Sequence, residues 1–212
     1  MVHDAGFLAH HFDSLEQQHE AATLGMWLFL ATEILFFGGM FTAYGVYRTS
    51  YPQAFVAASH HLNVAIGTFN TAVLLTSSLT VALAVHAAEH GRSRTVIGLV
   101  IATMLLGGTF LGVKAFEYHH KFVEHLIPGH GFSFAGPHSP HAQLFFSLYF
   151  VMTGFHALHI LIGLAVMAFV IRLTAQGRVT PEHHPAVELT GLYWHFVDII
   201  WVFLFPLLYL IR

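Results

Sequence analysis

The chain has 212 residues, of which 56% are apolar and only 9% are charged, whereas about 25% of the residues in an ordinary soluble domain are charged. So few polar side chains could not cover the apolar surface of a soluble fold, and we therefore expect the chain to lie in lipid. The absence of cysteine excludes disulfides, iron–sulfur clusters and Cys-ligated metals, and a net charge of −3 gives no basic surface for nucleic acid.

Five stretches of the chain are long and apolar enough to cross a membrane. A spanning helix needs about 20 mostly apolar residues to cross roughly 30 Å of hydrocarbon, and this requirement is met by residues 22–47, 63–87, 95–116, 142–173 and 187–211. Residues 1–21 are predicted to form a polar N-terminal tail, and residues 22–212 a single transmembrane domain. The sequence therefore predicts an all-α integral membrane bundle of five transmembrane helices.

The distribution of positive charge does not decide the orientation of this bundle. With the N-terminus in the cytoplasm, four cations lie inside and four outside. The inner ones are Arg92, Arg94, Arg172 and Arg178, and the outer ones are Arg48, Lys114, Lys121 and Arg212. Cytoplasmic loops are usually richer in Lys and Arg, and because the two counts are equal this rule favours neither orientation.

Glu33 lies near the middle of the first predicted span. A carboxylate at this depth costs several kcal/mol unless it is neutral, paired or facing protein. One interpretation is a functional carboxylate that exchanges protons or faces a partner. The other is a protonated side chain that forms a hydrogen bond to a neighbouring helix.

The second and third spans carry small residues that favour close helix packing. Thr and Ser hydroxyls recur along residues 68–80, and Gly108 and Gly112 are four residues apart on the third span. Such residues let helices approach closely and form hydrogen bonds across the contact. They predict a tight bundle.

The last two spans contain histidines and a carboxylate at helical spacing. His156 and His159 share one helix face, as do His195 and Asp198, because residues three apart are neighbours on a helix. Imidazoles on two helices at similar depth could ligate a b-type haem. They could equally form hydrogen bonds between helices. Both interpretations are open at this point.

Histidine is abundant outside the predicted spans. The N-terminal tail contains His3, His10, His11 and His19. The long connection at residues 117–141 contains six more, which are His119, His120, His125, His130, His138 and His141. We interpret this connection as a solvated polar loop.

Five segments, in this order along the chain, resemble subunit III of cytochrome c oxidase and of its quinol-oxidase relatives. They are the Glu33 helix Leu30-Ala-Thr-Glu33-Ile-Leu-Phe-Phe-Gly, the polar segment at residues 70–80, Glu117-Tyr118, the block at residues 153–163 and Tyr193-Trp-His195-Phe-Val-Asp198-Ile-Ile-Trp201. The likeness runs from about residue 22 to the C-terminus.

The resemblance implies a subunit without a catalytic or metal centre of its own. His156, His159, His195 and Asp198 would then form a structural polar network, with Glu33 as the functional buried carboxylate. The haems and copper would lie in partner subunits. The chain would pack on subunit I, beside subunit II and small subunits or a respiratory supercomplex, support its stability and proton uptake, and bind phospholipid.

The resemblance also implies an orientation. The N-terminus would lie on the cytoplasmic side of a bacterial plasma membrane and the C-terminus outside. His3, His10 and His11 would then lie near proton entry and collect protons. Arg172, Arg178, His183 and His184 would meet lipid phosphates on the inner face.

The chain departs from the longer members of this family by lacking two helices before the Glu33 helix. Glu33 and the block around His195 favour the branch that oxidises cytochrome c. A quinol-oxidase subunit and a homologue associated with nitric-oxide reductase are the alternatives within the family, and a b-type cytochrome is the alternative from another class.

Overall fold

The computed structural model describes residues 12–134 and 139–211, which form six α-helices. They are α1 (Leu15–Ser50), α2 (Pro52–Ser59), α3 (Val64–Glu89), α4 (Ser93–Val123), α5 (Ser139–Ala175) and α6 (Pro185–Tyr209). All except the short α2 are long and apolar enough to cross a membrane. The prediction of an all-α bundle with five spanning helices is confirmed.

Helix α1 begins earlier than the sequence predicted. The side chain of Ser14 accepts a hydrogen bond from the backbone N–H of Gln17 and caps the helix, so residues 15–21 of the predicted polar tail are helical. A helix of 36 residues is about 54 Å long. It therefore extends well beyond roughly 30 Å of hydrocarbon.

The long connection is shorter than residues 117–141. Helix α4 continues to Val123 and α5 begins at Ser139, so His119 and His120 lie on α4 and His141 lies on α5. The continuation of α4 has a physical reason, because Lys121 and Glu124 form an ion pair across three residues at the end of the helix, where such spacing brings side chains together.

Helix α6 lies at the centre of the bundle and α1 at its edge. Helix α6 packs against α3, α5 and α1, while α4 packs against α3 and α5. Most of the apolar side chains of α1 are exposed, including those of Trp27, Ile34 and Leu35. This face of α1 is available to lipid or to another membrane protein.

Trp194 of α6 fills the space between two glycines of neighbouring helices. A Cβ atom built on Gly107 of α4 or on Gly163 of α5 would lie 2.8 Å from the Trp194 ring. The predicted pair Gly108 and Gly112 does not serve this purpose, since both are exposed and no atom would lie within 4 Å of their Cβ atoms. Successive helical residues point about 100° apart, so Gly107 faces the core and Gly108 faces outward.

The hydroxyl groups of α3 bind the buried face of α6, as the sequence predicted. The indole N–H of Trp194 donates to Ser77 and that of Trp201 donates to Thr71, each at 3.0 Å. These hydrogen bonds satisfy indole donors that would otherwise be buried without partners. They also fix the register between two long helices.

Candidate functional site

A buried charged group, which we call the Lys114 cluster, joins α4, α5 and α6. It consists of Lys114, Glu117, Tyr149 and Tyr209. The Nζ atom of Lys114 lies 3.0 Å from Glu117 Oε2 and donates to both tyrosine hydroxyls, also at 3.0 Å. The Tyr209 hydroxyl in turn donates to the Glu117 carboxylate at 2.7 Å. Each charge therefore has several partners, as a buried ion pair requires.

Aromatic rings complete the surroundings of the Lys114 ammonium. Its Nζ atom lies 4.8 Å from the ring centroid of Tyr149 and 5.4 Å from that of Trp201. Ring faces attract cations, and the attraction is stronger where water is excluded. This cluster was not predicted from the sequence, in which Lys114 counted only as one of the outer cations. The Lys-x-x-Glu spacing on a helix was the available signal.

A cavity of about 560 Å³ opens beside this cluster, where α3 begins and α4 ends, and it is lined by His61, Glu117, His120, Lys121 and Glu124 among others. Lys121 is buried and donates to the backbone oxygen of His61 at 2.7 Å and to Glu124 at 2.6 Å. Partial burial lowers the pKa of the His61 imidazole, and the positive charge of Lys121 lowers it further.

Glu33 and His159 form a second polar contact, between α1 and α5. Glu33 Oε2 lies 3.0 Å from His159 Nε2, and His159 Nδ1 lies 2.7 Å from the backbone oxygen of Phe155. The carbonyl oxygen can only accept, so Nδ1 carries a proton and donates it. The Glu33–His159 hydrogen bond then holds one further proton, on one residue or the other. The pair is neutral overall in both cases, which suits its depth in the bundle.

The other predicted members of the polar network lie apart. His195 Nδ1 lies 2.7 Å from the Ser78 hydroxyl, which links α6 to α3. The Asp198 carboxylate lies near the same hydroxyl, but neither of its oxygens forms a hydrogen bond of ordinary geometry in the described part of the chain. The four residues therefore do not form one continuous network, although they share helices α5 and α6.

His156 is enclosed by aromatic rings. Its ring centroid lies 5.3 Å from that of Trp201 and 5.4 Å from that of Phe110, and neither nitrogen has a hydrogen-bond partner in the described residues. A haem on this ring would need the space that Trp201 and Phe110 fill. His159 is also poorly suited to bind iron, because both of its nitrogens are engaged.

The predicted lipid contacts lie around the connection between α5 and α6. Arg178, His183 and His184 line a cavity of about 180 Å³ there, whereas Arg172 is exposed on α5 and is not among its lining residues. His184 Nε2 also lies 3.1 Å from Glu188 Oε1. The predicted proton-collecting residues His3, His10 and His11 lie outside the described residues.

Comparison with known proteins identifies the family. The family model "Cytochrome c oxidase subunit III" matches residues 1–211. The chain belongs to the cytochrome c oxidase subunit III family. It is 34% identical to "Cytochrome c oxidase subunit 3" of Corynebacterium diphtheriae, over 90% of this chain and 88% of that protein.

Other members of the subunit III family show comparable similarity. The subunit of Thermostichus vulcanus is 32% identical, over 94% of this chain and 92% of its own length. That of Gallus gallus is 32% identical, over 99% of this chain and 76% of its own length. Membership of this family makes the chain a multi-pass membrane subunit of an oxidoreductase complex in respiratory electron transport. The Glu33–His159 contact and the Lys114 cluster are therefore features of a subunit that works within an assembly.

Proposed function

We propose that this chain is the non-catalytic subunit III of a proton-pumping haem–copper terminal oxidase. In this proposal it packs directly on subunit I, beside subunit II, and supports the stability and proton uptake of subunit I during turnover. The observation that carries the proposal is the family match along the whole described chain. Small subunits or a respiratory supercomplex would be further partners.

The absence of a catalytic centre on this chain is part of the proposal. A histidine can hold haem iron or copper only if one ring nitrogen has a free lone pair and space beside it for the metal. Of the histidines in the last two spans, His159 and His195 form hydrogen bonds, and His156 is covered by aromatic rings. Their geometry favours helix packing over ligation, so we assign the haems and copper to the partner subunits.

Cytochrome c is the electron donor that we propose for the complex. This choice rests on the names of the relatives, which are cytochrome c oxidase subunits in bacteria and in vertebrates. A quinol oxidase or a homologue associated with nitric-oxide reductase is the alternative. The donor is bound by other subunits, so the partner that copurifies distinguishes these cases.

We propose a bacterial plasma membrane location with the N-terminus in the cytoplasm. Two of the four outer cations, Lys114 and Lys121, are buried in the bundle instead of exposed in a loop. The rule counts Lys and Arg in loops, without regard to acidic partners, so the four inner arginines are compared with Arg48 and Arg212 alone. This difference favours the cytoplasmic N-terminus.

Bound phospholipid completes the proposed assembly. The groove between α1 and α6 has a volume of about 480 Å³ and an almost entirely apolar lining that includes Trp27, Phe41 and Phe203, which suits an acyl chain. Arg178, His183 and His184 lie where a phosphate would be met on the inner side.

Purification of the tagged chain in mild detergent tests the proposal. We expect a haem-containing subunit I and a copper-binding subunit II to copurify, as identified by mass spectrometry and haem absorption. If the copurified subunit II is of the quinol-oxidase type and lacks the copper ligands, the electron donor is a quinol and not cytochrome c, while the family assignment of this chain stands. A chain that purifies alone with its own haem absorption would contradict the proposal and favour a b-type cytochrome.

The proton-collecting role of the N-terminal histidines needs its own experiment. Replacement of His3, His10 and His11 by Gln should slow proton uptake by the assembled oxidase, because imidazoles exchange protons near neutral pH. Replacement of the exposed His120, which lies at the end of α4, is the matched control. Unchanged proton uptake in the triple variant would exclude this role.

A further inference from the structure

Three potential metal ligands meet at the end of α3, away from the contacts described above. His86, Glu89 and His90 occupy the last turn of the helix, and all three are exposed. One ligand atom of each residue lies within 4.8 Å of those of the other two. The spacing explains the cluster, because residues three and four apart lie on one face of a helix.

The His90 imidazole is held in an orientation that suits a cation. His90 Nδ1 lies 2.8 Å from the backbone oxygen of His86, so Nδ1 carries the proton and the Nε2 lone pair remains free. Metal-binding histidines commonly donate their second nitrogen in this way, which fixes the ring. The two rings already lie side by side, with centroids 4.4 Å apart.

The local charges also suit a cation. The end of a helix carries partial negative charge from its last carbonyl groups, and the Glu89 carboxylate, 3.4 Å from His86 Nδ1, adds a full negative charge. Arg92 and Arg94 follow in the chain and act in the opposite direction, and the negative charge of Glu89 offsets part of their effect.

The backbone beneath the cluster is well fixed. Gly91 has a φ of 67°, a left-handed conformation that glycine adopts readily at helix ends. A Cβ atom at Gly91 would lie 3.0 Å from Pro181, so this turn packs against the connection between α5 and α6. A ligand set on such a support needs little reorganisation to bind an ion.

We propose that His86, Glu89 and His90 form a binding site for a divalent transition metal, with Zn²⁺ as the representative ion. Two imidazoles and a carboxylate are a ligand set that Zn²⁺ accepts, with water in the fourth position. The three ligand atoms lie within 4.8 Å of one another, and rotation of these exposed side chains would bring them to about 2.0–2.2 Å from one ion. This inference does not depend on the proposed function.

Equilibrium dialysis of the purified complex against Zn²⁺ tests this site. The double variant His86→Gln/His90→Gln should bind one Zn²⁺ fewer per complex than the wild type at micromolar free zinc. The single variant Glu89→Gln should bind that ion at least about tenfold more weakly. Because all three side chains are exposed, we expect the variants to assemble normally, which retention of the chain in the complex verifies.

His120→Gln is the matched control, because His120 is exposed and lies 3.2 Å from Glu124, four residues later, without being grouped with a third ligand in the described residues. Its zinc binding should equal that of the wild type. Equal binding by the double variant and the wild type would overturn the proposal. So would an equal loss in the His120→Gln control, since it would mean that any helical histidine–glutamate pair suffices.

Discussion

Lys114 and Glu117 form an ion pair inside the helix bundle, with 3.0 Å between Nζ and Oε2 and only 4% of each side chain exposed. Removing two charges from water is costly, and attraction alone often fails to compensate for it. Here the hydroxyl groups of Tyr149 and Tyr209 add hydrogen bonds to the pair. The burial of each charge therefore depends on its partner and on these two tyrosines.

Substitution of one partner of this pair should destabilise the chain more than substitution of both. Lys114→Met leaves the Glu117 carboxylate buried without its cation, and we expect it to lower the free energy of unfolding by about 3–5 kcal/mol. The double variant Lys114→Met/Glu117→Gln should recover a large part of this loss. Unfolding of the purified chain in mixed detergent with increasing SDS measures both. Equal losses in the two variants would contradict this explanation, because they would show that the unpaired Glu117 carboxylate is not the source of the loss.

Glu33→Gln should leave the initial rate of oxygen reduction by the assembled oxidase unchanged. A Gln side-chain amide can donate to the Nε2 lone pair of His159 and keep the neutral contact that Glu33 makes at 3.0 Å. Any loss should appear as lower stability or as a decline during prolonged turnover, measured by oxygen consumption over time. An immediate collapse of activity in a fully assembled variant would contradict this expectation.

Glu33→Leu, compared with Glu33→Gln, shows whether the oxidase needs the hydrogen bond to His159 or the exchangeable proton of the Glu33 carboxyl group. It leaves His159 Nε2 without its partner, which should cost about 1–3 kcal/mol of stability. If turnover declines in the Leu variant but persists in the Gln variant, the hydrogen bond between α1 and α5 is what the oxidase needs. An equal decline in both variants would indicate that the carboxyl group itself is required.

The spans were predictable from the sequence because hydrophobic length alone determines them. The ends of α1 and α4 were less predictable, because helices continue into water wherever caps and ion pairs support them. Ser14 caps α1 and Lys121 pairs with Glu124 at the end of α4. The cap and the ion pair each involve only a few polar residues. They lie outside the apolar pattern from which the spans were predicted, so that pattern could not reveal them.

The polar contacts were predictable in type but not in partner. Glu33, His159 and His195 were recognised as candidates from their depth. Their partners could not be predicted, because the rotation of each helix about its axis decides which neighbouring helix a side chain meets. Glu33 and His159 meet each other across α1 and α5, and His195 meets Ser78 of α3. The same uncertainty explains Gly108, which was chosen as a packing residue although Gly107 contacts Trp194. A rotation of one residue, about 100°, reverses which glycine faces the core.

Gly163→Ala and Gly107→Ala should each destabilise the bundle by about 1–3 kcal/mol. In both variants the new methyl group would lie 2.8 Å from the Trp194 ring, which is fully buried and cannot move freely. Thermal unfolding of the detergent-solubilised chain measures the loss. Gly112→Ala is the control, because its methyl group would meet no atom within 4 Å and alanine favours helix. Destabilisation by Gly112→Ala of the same size would contradict the assigned rotation of α4.

The bundle should lose stability at the end that carries His61 as the pH falls below about 6.5, the ordinary pKa of histidine. His61 lies between α2 and α3. Its pKa is lowered mainly by burial and then by the positive charge of Lys121. The Glu124 charge raises this pKa and His60 lowers it further. A base whose pKa is lower in the folded state binds protons more readily when unfolded. Its favourable contribution is therefore complete above the unfolded pKa and is lost as the pH falls towards the folded one.

His61→Gln tests this dependence directly. The variant should lose part of the decrease in melting temperature that the wild-type chain shows between about pH 7 and pH 5. His119→Gln is a suitable control, since His119 is exposed on α4 near the same end of the bundle. If His61→Gln melts with the same pH dependence as the wild type, the acid sensitivity of this end comes from a group other than His61.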